Sequence, residues 1–237
     1  MNTVRSSDGT TIAYTRSGTG PALILVDGAF QHRAIDQRTE YLAELLSQDF
    51  TVYHHDRRGR GGSGDTAPYT TEREIEDLAA LIEQAGEPAL VFGNSSGAPL
   101  ALDAVTRGAA VSKLALYEAP FVVDGSRPPV GDDYLNRLTK LLAEGRRGDA
   151  VELFLTEAVG VPAQFVAGMR QAPVWQDFEA VAHTLRYDAL FMDGTLTGGP
   201  LPAGRWADVS VPALVIDGGA SPAFMHNAAD ALAALLP

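Results

Sequence analysis

Short apolar runs alternate along the chain with longer amphipathic stretches. The run at residues 23–26 has no polar position, which predicts a strand buried on both faces of a sheet. Residues 89–92 form a similar run, residues 113–117 predict a further strand, and residues 71–85 carry apolar positions at helical spacing. This alternation predicts an α/β fold with a mostly parallel sheet flanked by helices.

The middle of the chain breaks this alternation. Between Phe121 and Val209 the strand signals disappear, and a strand signal returns at residues 213–216. We therefore predict a core of residues 1–120 and 210–237, interrupted by a helical cap insertion at residues 121–209. Three helices are predicted within the cap, at residues 134–142, 150–158 and 175–187.

Composition narrows the possible partners and compartments. The chain has 30 acidic residues against 18 basic ones, a net charge of −12, and no cysteine. A surface with this much negative charge disfavours binding to nucleic acid and to anionic membranes. The absence of cysteine excludes disulfides and thiolate nucleophiles. No apolar run approaches the roughly 18 residues that span a bilayer. With no apolar leader at the start, we expect a cytoplasmic protein that acts on a small-molecule substrate.

The sharpest chemical signal is the segment Gly93-Asn94-Ser95-Ser96-Gly97. It follows a predicted buried strand and precedes a predicted helix. A nucleophilic serine needs a tight turn of this kind, with small neighbours two residues before and after it. The amides at the start of the helix favour negative charge on a bound carbonyl oxygen. The segment therefore predicts Ser95 as a nucleophile, with an ordinary glycine-rich turn as the alternative.

Together with this turn, several features extend over essentially the whole chain: a hairpin at Asp8-Gly9, the segment Asp27-Gly28-Ala29-Phe30, the loop at residues 56–61, and the returning strand. On these features the chain resembles the α/β-hydrolase superfamily. The resemblance implies an oxyanion hole formed by the amides of Ala29 and Ser96. Relatives often carry His-Gly where this chain has Asp27-Gly28, and we expect Asp27 to pair with an arginine such as Arg57 or Arg58.

The resemblance also implies a reaction class. Superfamily members that look like haloalkane dehalogenases and epoxide hydrolases carry aspartate at the position of the nucleophile. Serine at position 95 implies acyl transfer, so we predict a serine hydrolase of an ester, thioester or lactone. The alternatives are a cofactor-free lyase, cyclase or perhydrolase, and a ligand-binding protein with a degenerate triad. The sequence shows no metal-ligand spacing and no Gly-x-Gly-x-x-Gly motif, so no cofactor is predicted. Phe121 and Trp175 are predicted to line an apolar substrate pocket.

The acid and the base of the triad are less well marked. Glu118 follows the strand after the predicted nucleophile, and Asp217 follows the returning strand, so each is a candidate acid. The resemblance implies the order serine, acid, histidine, which His226 alone satisfies. Two explanations stay open: a histidine lies beyond Pro237 in a longer natural protein, or the triad has been abandoned.

Overall fold

The computed structural model describes residues 1–86, 88–202 and 204–237. Within them, one seven-stranded sheet has the order β1-β2-β4-β3-β5-β6-β7. The pairs β1–β2 and β2–β4 are antiparallel, and every other neighbouring pair is parallel. The strands are β1 (Asn2–Arg5), β2 (Thr11–Ser17), β3 (Ala22–Val26), β4 (Thr51–His55), β5 (Ala89–Asn94), β6 (Val111–Tyr117) and β7 (Ala213–Ile216). The predicted α/β class is confirmed.

Helices cover the sheet and fill the long connection between β6 and β7. The core helices are α1 (Gln37–Leu46), α2 (Thr71–Ala85), α3 (Gly97–Thr106) and α9 (Ala223–Leu235). Between β6 and β7 lie α4 (Tyr134–Ala143), α5 (Arg147–Leu153), a π-helical turn (Phe154–Val159), α6 (Ala163–Met169), α7 (Val174–Val181) and α8 (Leu185–Phe191). None of the helices in the described part of the chain combines the length and apolar character needed to cross a bilayer.

The central strands carry the main core, as their sequences predict. β3 and β4 are buried at every position. The predicted apolar stripe of α2 is buried too, at Ile75, Leu78, Leu81 and Ile82. β7 forms an edge of the sheet, and its Leu214 is 60% exposed. The nearly complete burial of the central strands fixes the positions of the loops that follow their carboxyl ends.

The helices between β6 and β7 pack around a second apolar cluster. Its buried members include Leu138, Val151, Trp175 and Leu185. Phe30, which follows the end of β3, belongs to the same cluster and stacks on Phe178 with ring centroids 4.4 Å apart. The loop after β3 is therefore in direct contact with these helices.

Local details differ from the sequence expectations. The helix predicted at 175–187 is two helices, α7 and α8, separated by a 3₁₀ turn at Ala182–Thr184. On α1, the sequence pattern predicts one apolar side that includes Tyr41, Leu42, Leu45 and Leu46. Tyr41 is 62% exposed, however, while Ala43 is buried. The three-residue spacing of Thr71 and Glu74 in the sequence predicts a capping box, with Thr71 as the cap of α2. The helix begins at Thr71 instead, and buried Glu74 accepts hydrogen bonds from Arg57.

Candidate active site

Ser95 occupies the tight turn between β5 and α3. Its φ is +52°, a left-handed conformation that non-glycine residues seldom adopt. The Ser95 amide donates to the Tyr117 carbonyl at 2.9 Å, and its own carbonyl accepts from the Ala98 amide at 2.9 Å. A Cβ at Gly97 would overlap the Val26 carbonyl oxygen. The strand–turn–helix geometry expected from the glycine spacing is thus present, with the Ser95 side chain half-buried.

Backbone strain is concentrated around this turn. Among the described residues, the non-glycine residues with positive φ are Phe30, Ser95 and Glu118. All three line one open cavity of about 530 Å³. Residues held in sparsely populated backbone conformations cluster at functional sites, because surrounding structure must hold them there. This coincidence marks the carboxyl ends of β3, β5 and β6 as the candidate site.

Ser95 and Ala29 border two cavities of different character. The open cavity also contains the polar side chains of Gln31 and Asn94. The second cavity, of about 110 Å³, is more enclosed, and most of its lining is apolar. Its apolar residues include Phe154, Met192, Leu196, Phe224 and Met225. A molecule bound at Ser95 can thus place an apolar group on one side and a polar group on the other.

Two backbone amides close to Ser95 in the chain or at its cavities have no hydrogen-bond acceptor among the described residues. Neither the Ala29 amide nor the Ser96 amide donates a hydrogen bond to another described residue. The preceding amide, that of Gly28, donates to Gln31 Oε1 at 2.7 Å. Gln31 Oε1 also accepts from Asn94 Nδ2 at 2.8 Å, which ties the loop after β3 to the end of β5. Backbone amides that have no protein partner can donate to a ligand oxygen that carries negative charge.

The two candidate acids both lie at strand ends, and of the two it is Glu118 that lines a cavity at Ser95. Glu118 directly follows β6, and its Oε1 accepts hydrogen bonds from the Gly218 amide at 3.0 Å and from the Ser221 hydroxyl. The position of Ser221 in the sequence predicts that it caps α9, but its hydroxyl donates to Glu118 instead. Among the described residues, nothing donates to Glu118 Oε2, which leaves that oxygen free to accept a bond from another group.

The histidines lie elsewhere. His226 Nδ1 bonds to Asp217 Oδ2, on α9 and after β7. His54 Nε2 lies 2.9 Å from Asp27 Oδ2. The expected pairing of Asp27 with Arg57 or Arg58 is therefore wrong: Arg57 reaches only the Asp27 carbonyl, at 3.1 Å. No histidine in the described part of the chain is among the residues that line the two cavities at Ser95.

The two aromatic residues expected in the substrate pocket pack in the cores. Phe121 is fully buried and stacks on Trp206, with ring centroids 5.5 Å apart. Trp175 is buried in the cluster between β6 and β7, and its Nε1 donates to Glu179 at 2.9 Å. The aromatic side chains that line the apolar cavity are instead Tyr134, Phe154 and Phe224.

One set of residues at the site went unnoticed in the sequence. Asp188 on α8 lines the apolar cavity and forms ion pairs with Arg57 and Arg60, 2.7 and 2.6 Å away. The only signal was an aspartate inside the apolar stretch 187–191, which needs a buried partner. No cluster of three or more potential metal ligands is found among the described residues.

Comparison with known proteins gives a consistent result. Residues 23–237 match the sequence model of the alpha/beta hydrolase family. The crystal structure of an alpha/beta hydrolase from Sphaerobacter thermophilus is similar over 100% of this chain and 89% of that one, with 56% identity and a TM-score of 0.90.

Two curated relatives match part of the chain. Lipase LipV from Mycobacterium tuberculosis is 34% identical over 111 residues, which is 46% of this chain and 41% of that protein. The uncharacterized hydrolase YraK from Bacillus subtilis is 33% identical over 103 residues, 42% of this chain and 37% of that protein. The matched region thus spans about two-fifths of the length of either relative.

Proposed function

The chain belongs to the alpha/beta hydrolase family, and on that premise we propose that it hydrolyses an ester, thioester or lactone of a small, fairly apolar substrate through an acyl-enzyme on Ser95. The observation that carries the proposal is the left-handed turn at Ser95, which borders both cavities next to two unoccupied amides. The relatives named as lipase and hydrolase support the reaction class.

The reaction would begin with attack of Ser95 Oγ on the substrate carbonyl carbon. The carbonyl oxygen gains negative charge, and the amides of Ala29 and Ser96 would donate hydrogen bonds to it. A histidine base takes the Ser95 proton and passes it to the leaving oxygen or sulfur. Collapse of the intermediate then breaks the C–O or C–S bond as an alcohol or thiol forms, which for a lactone stays attached to the acyl group, and the acyl group remains on Ser95. Water gives a proton to the same base as it attacks the acyl carbon, and the proton returns to Ser95 as the acid is released.

The acid that we favour is Glu118, with Asp217 as the alternative. Glu118 has a carboxylate oxygen free to orient a histidine base, while Asp217 already pairs with His226. A carboxylate in this role fixes the tautomer of the histidine and stabilises its charged form. His226 follows both acids in the chain, but its Nδ1 is bonded to Asp217, so we do not assign it as the histidine that Glu118 would orient.

The helices between β6 and β7 would act as a cap over the substrate. They supply Tyr134, Phe154 and Met192 to the apolar cavity, which Ser95 and Ala29 enclose from the core side. A cavity of about 110 Å³ is smaller than the roughly 150 Å³ that accommodates benzene, so it suits a short acyl or alkoxy group. The larger and more open cavity would take the rest of the substrate.

A p-nitrophenyl ester assay on the full-length protein tests this function. We expect turnover that Ser95→Ala abolishes and that Ser112→Ala retains. Ser112 lies on β6, is exposed, and bonds only to the Ala89 carbonyl, so it is a matched serine control. Equal turnover by Ser95→Ala and the wild type would refute the proposal.

A second function is favoured by one observation, the absence of any described histidine along the two cavities at Ser95. In that case the same pocket would bind a ligand, or would serve a cofactor-free lyase, cyclase or perhydrolase. A fluorophosphonate probe separates the two functions because it labels only a serine whose hydroxyl is activated. An unlabelled full-length protein without esterase turnover would favour this second function.

A further inference from the structure

Beneath the loop after β3 lies a buried charge network that joins α8 to the core. The Asp188 carboxylate accepts from Arg57 Nη1 at 2.7 Å, from Arg60 Nη2 at 2.6 Å and from Ser96 Oγ at 2.7 Å. Asp188, Arg57 and Arg60 are each at most 2% exposed. Burial works to raise the pKa of Asp188, but the Arg60 and Arg57 charges outweigh it and hold that pKa below its usual range. The Asp188 carboxylate is therefore ionised at neutral pH.

Both arginines also bind the backbone of the loop that carries Ala29. Arg60 Nη1 donates to the Gly28 carbonyl, and Arg57 Nη1 donates to the Asp27 carbonyl at 3.1 Å. The Gly28 carbonyl and the Ala29 amide belong to one peptide unit, which is planar. In a trans peptide these two groups point in opposite directions, so the bond from Arg60 sets the direction of the Ala29 N–H. A charged donor on the carbonyl also polarises that amide and strengthens it as a donor.

The Asp188 carboxylate also contacts Ser96, the residue that carries the second amide. The Ser96 hydroxyl donates to Asp188 Oδ1, and Arg57 Nη1 lies 3.4 Å from Ser96 Oγ. Ser96 is the residue that precedes α3, and its amide is the other unoccupied donor beside Ser95. The Asp188 side chain thus contacts Ser96 directly and, through Arg60, the peptide unit that contains the Ala29 amide.

We propose, on the basis of the function proposed above, that Asp188 is a positioning residue for the oxyanion hole, acting through Arg60 on the Ala29 amide and through the Ser96 hydroxyl on the Ser96 amide. Asp188 belongs to the helices between β6 and β7, whereas both amides belong to core loops. The oxyanion hole is therefore complete only while α8 is docked on the core. Substrate contacts that stabilise the docked helices would raise the turnover number.

Arg58 provides a matched control for this role. It lies in the same loop, is fully buried, and bonds to Asp77 through Nε at 2.8 Å and Nη2 at 2.7 Å. It also pairs with Asp8 at 2.9 Å. Arg58 makes no hydrogen bond to residues 27–29 in the described part of the chain. A purely structural role for buried arginines predicts similar effects of Arg58→Lys and Arg60→Lys.

The test compares three variants with the wild type: Arg60→Lys, Asp188→Asn and Arg58→Lys. The measured quantities are the melting temperature, kcat, KM and the inhibition constant of a trifluoromethyl ketone. The ketone forms a tetrahedral adduct with the serine, and the adduct oxygen occupies the oxyanion hole. For Arg60→Lys and Asp188→Asn we expect kcat to fall about 10- to 100-fold, with KM within about twofold and a parallel loss of ketone affinity. Arg58→Lys lowers the melting temperature but retains kcat.

The outcomes separate this inference from the proposed function. If Ser95-dependent turnover is present and Arg60→Lys retains kcat and ketone affinity, the positioning role is refuted while the serine hydrolase stands. If the wild type shows no Ser95-dependent turnover, both fall. Should Asp188→Asn fail to fold, Ser96→Ala removes one bond to Asp188 without leaving a buried charge unpaired. We expect this variant to lose kcat and ketone affinity together, and unchanged values would count against the inference.

Discussion

The Cα of Ala98 lies only 2.8 Å from the position that a Cβ would take on Gly93. The Gly97 carbonyl oxygen is 2.7 Å from the same position, so β5 and α3 meet backbone to backbone at the Ser95 turn. Both obstacles are main-chain atoms, which cannot rotate away as a flexible side chain can. The close approach ties the fold of the turn to the absence of a side chain at position 93.

We therefore expect Gly93→Ala to lower the free energy of unfolding by about 2–3 kcal/mol, as overpacking of a core does. Gly168→Ala is the control, because a Cβ there meets no atom within 4 Å and Gly168 lies on the helix α6. It should leave the stability unchanged or raise it by up to about 1 kcal/mol. Urea denaturation of both variants measures this, and equal stabilities would show that the turn tolerates a side chain.

The second prediction concerns the catalytic acid. Glu118→Gln should reduce kcat at least about 100-fold, because a neutral amide cannot stabilise a charged histidine. Asp217→Asn and His226→Ala should each retain kcat within about twofold. Steady-state kinetics on a p-nitrophenyl ester decide between the acids. The opposite pattern, with full activity in Glu118→Gln and loss in the other two, would assign the role to Asp217.

The third prediction concerns substrate size. Met225 lines the apolar cavity and is partly exposed, so shortening it enlarges the cavity at little cost in stability. We expect Met225→Ala to shift the chain-length optimum of p-nitrophenyl esters upward by two or more carbons, from an optimum of about four carbons or fewer. Leu214→Ala is the control, since Leu214 is exposed on β7 and lines neither cavity at Ser95. An unchanged optimum in Met225→Ala would place the acyl group elsewhere.

The fourth prediction is a pH dependence of stability. Burial lowers the pKa of His55 from 6.5 to about 4, although nearby Asp27 acts in the opposite direction. Between these values the unfolded chain holds a proton that the native protein does not. The contribution of neutral His55 to the free energy of unfolding is therefore fully present above pH 6.5 and is lost as the pH falls toward 4.

Between pH 7 and pH 5 this group should reduce the free energy of unfolding by about 2 kcal/mol. His55→Gln removes the titrating group. The unfolding free energy of this variant should therefore fall by about 2 kcal/mol less than that of the wild type between pH 7 and pH 5. Denaturation curves of both proteins at the two pH values test this. Parallel decreases would show that His55 does not govern the acid sensitivity.

The sequence predicted the parts of the fold and site that depend on local pattern. The fully apolar run of β3 and the glycines around Ser95 impose their structures through burial and sterics, and both are recognisable within a few residues. The helix registers were less secure: Tyr41 matched an apolar stripe on α1 but lies exposed, because Ala43 faces the sheet.

Hydrogen bonds between polar side chains could not be predicted where they join two neighbouring strands or join the core to the helices between β6 and β7. Asp27 bonds to His54 because parallel pairing places β3 beside β4, where Leu25 and His54 are in register. Asp188 reaches Ser96 from 92 residues further along the chain. Such pairs depend on how helices dock on the core, and no periodicity in the sequence encodes that geometry.

The most direct test of the account is mass-spectrometric mapping of the residue modified by a fluorophosphonate in the full-length protein. In this reaction the serine oxygen forms a bond to phosphorus and fluoride leaves. The account predicts a single adduct on Ser95, absent from Ser95→Ala and retained in Ser112→Ala. An adduct on another residue, or equal labelling of Ser95→Ala and the wild type, would contradict it.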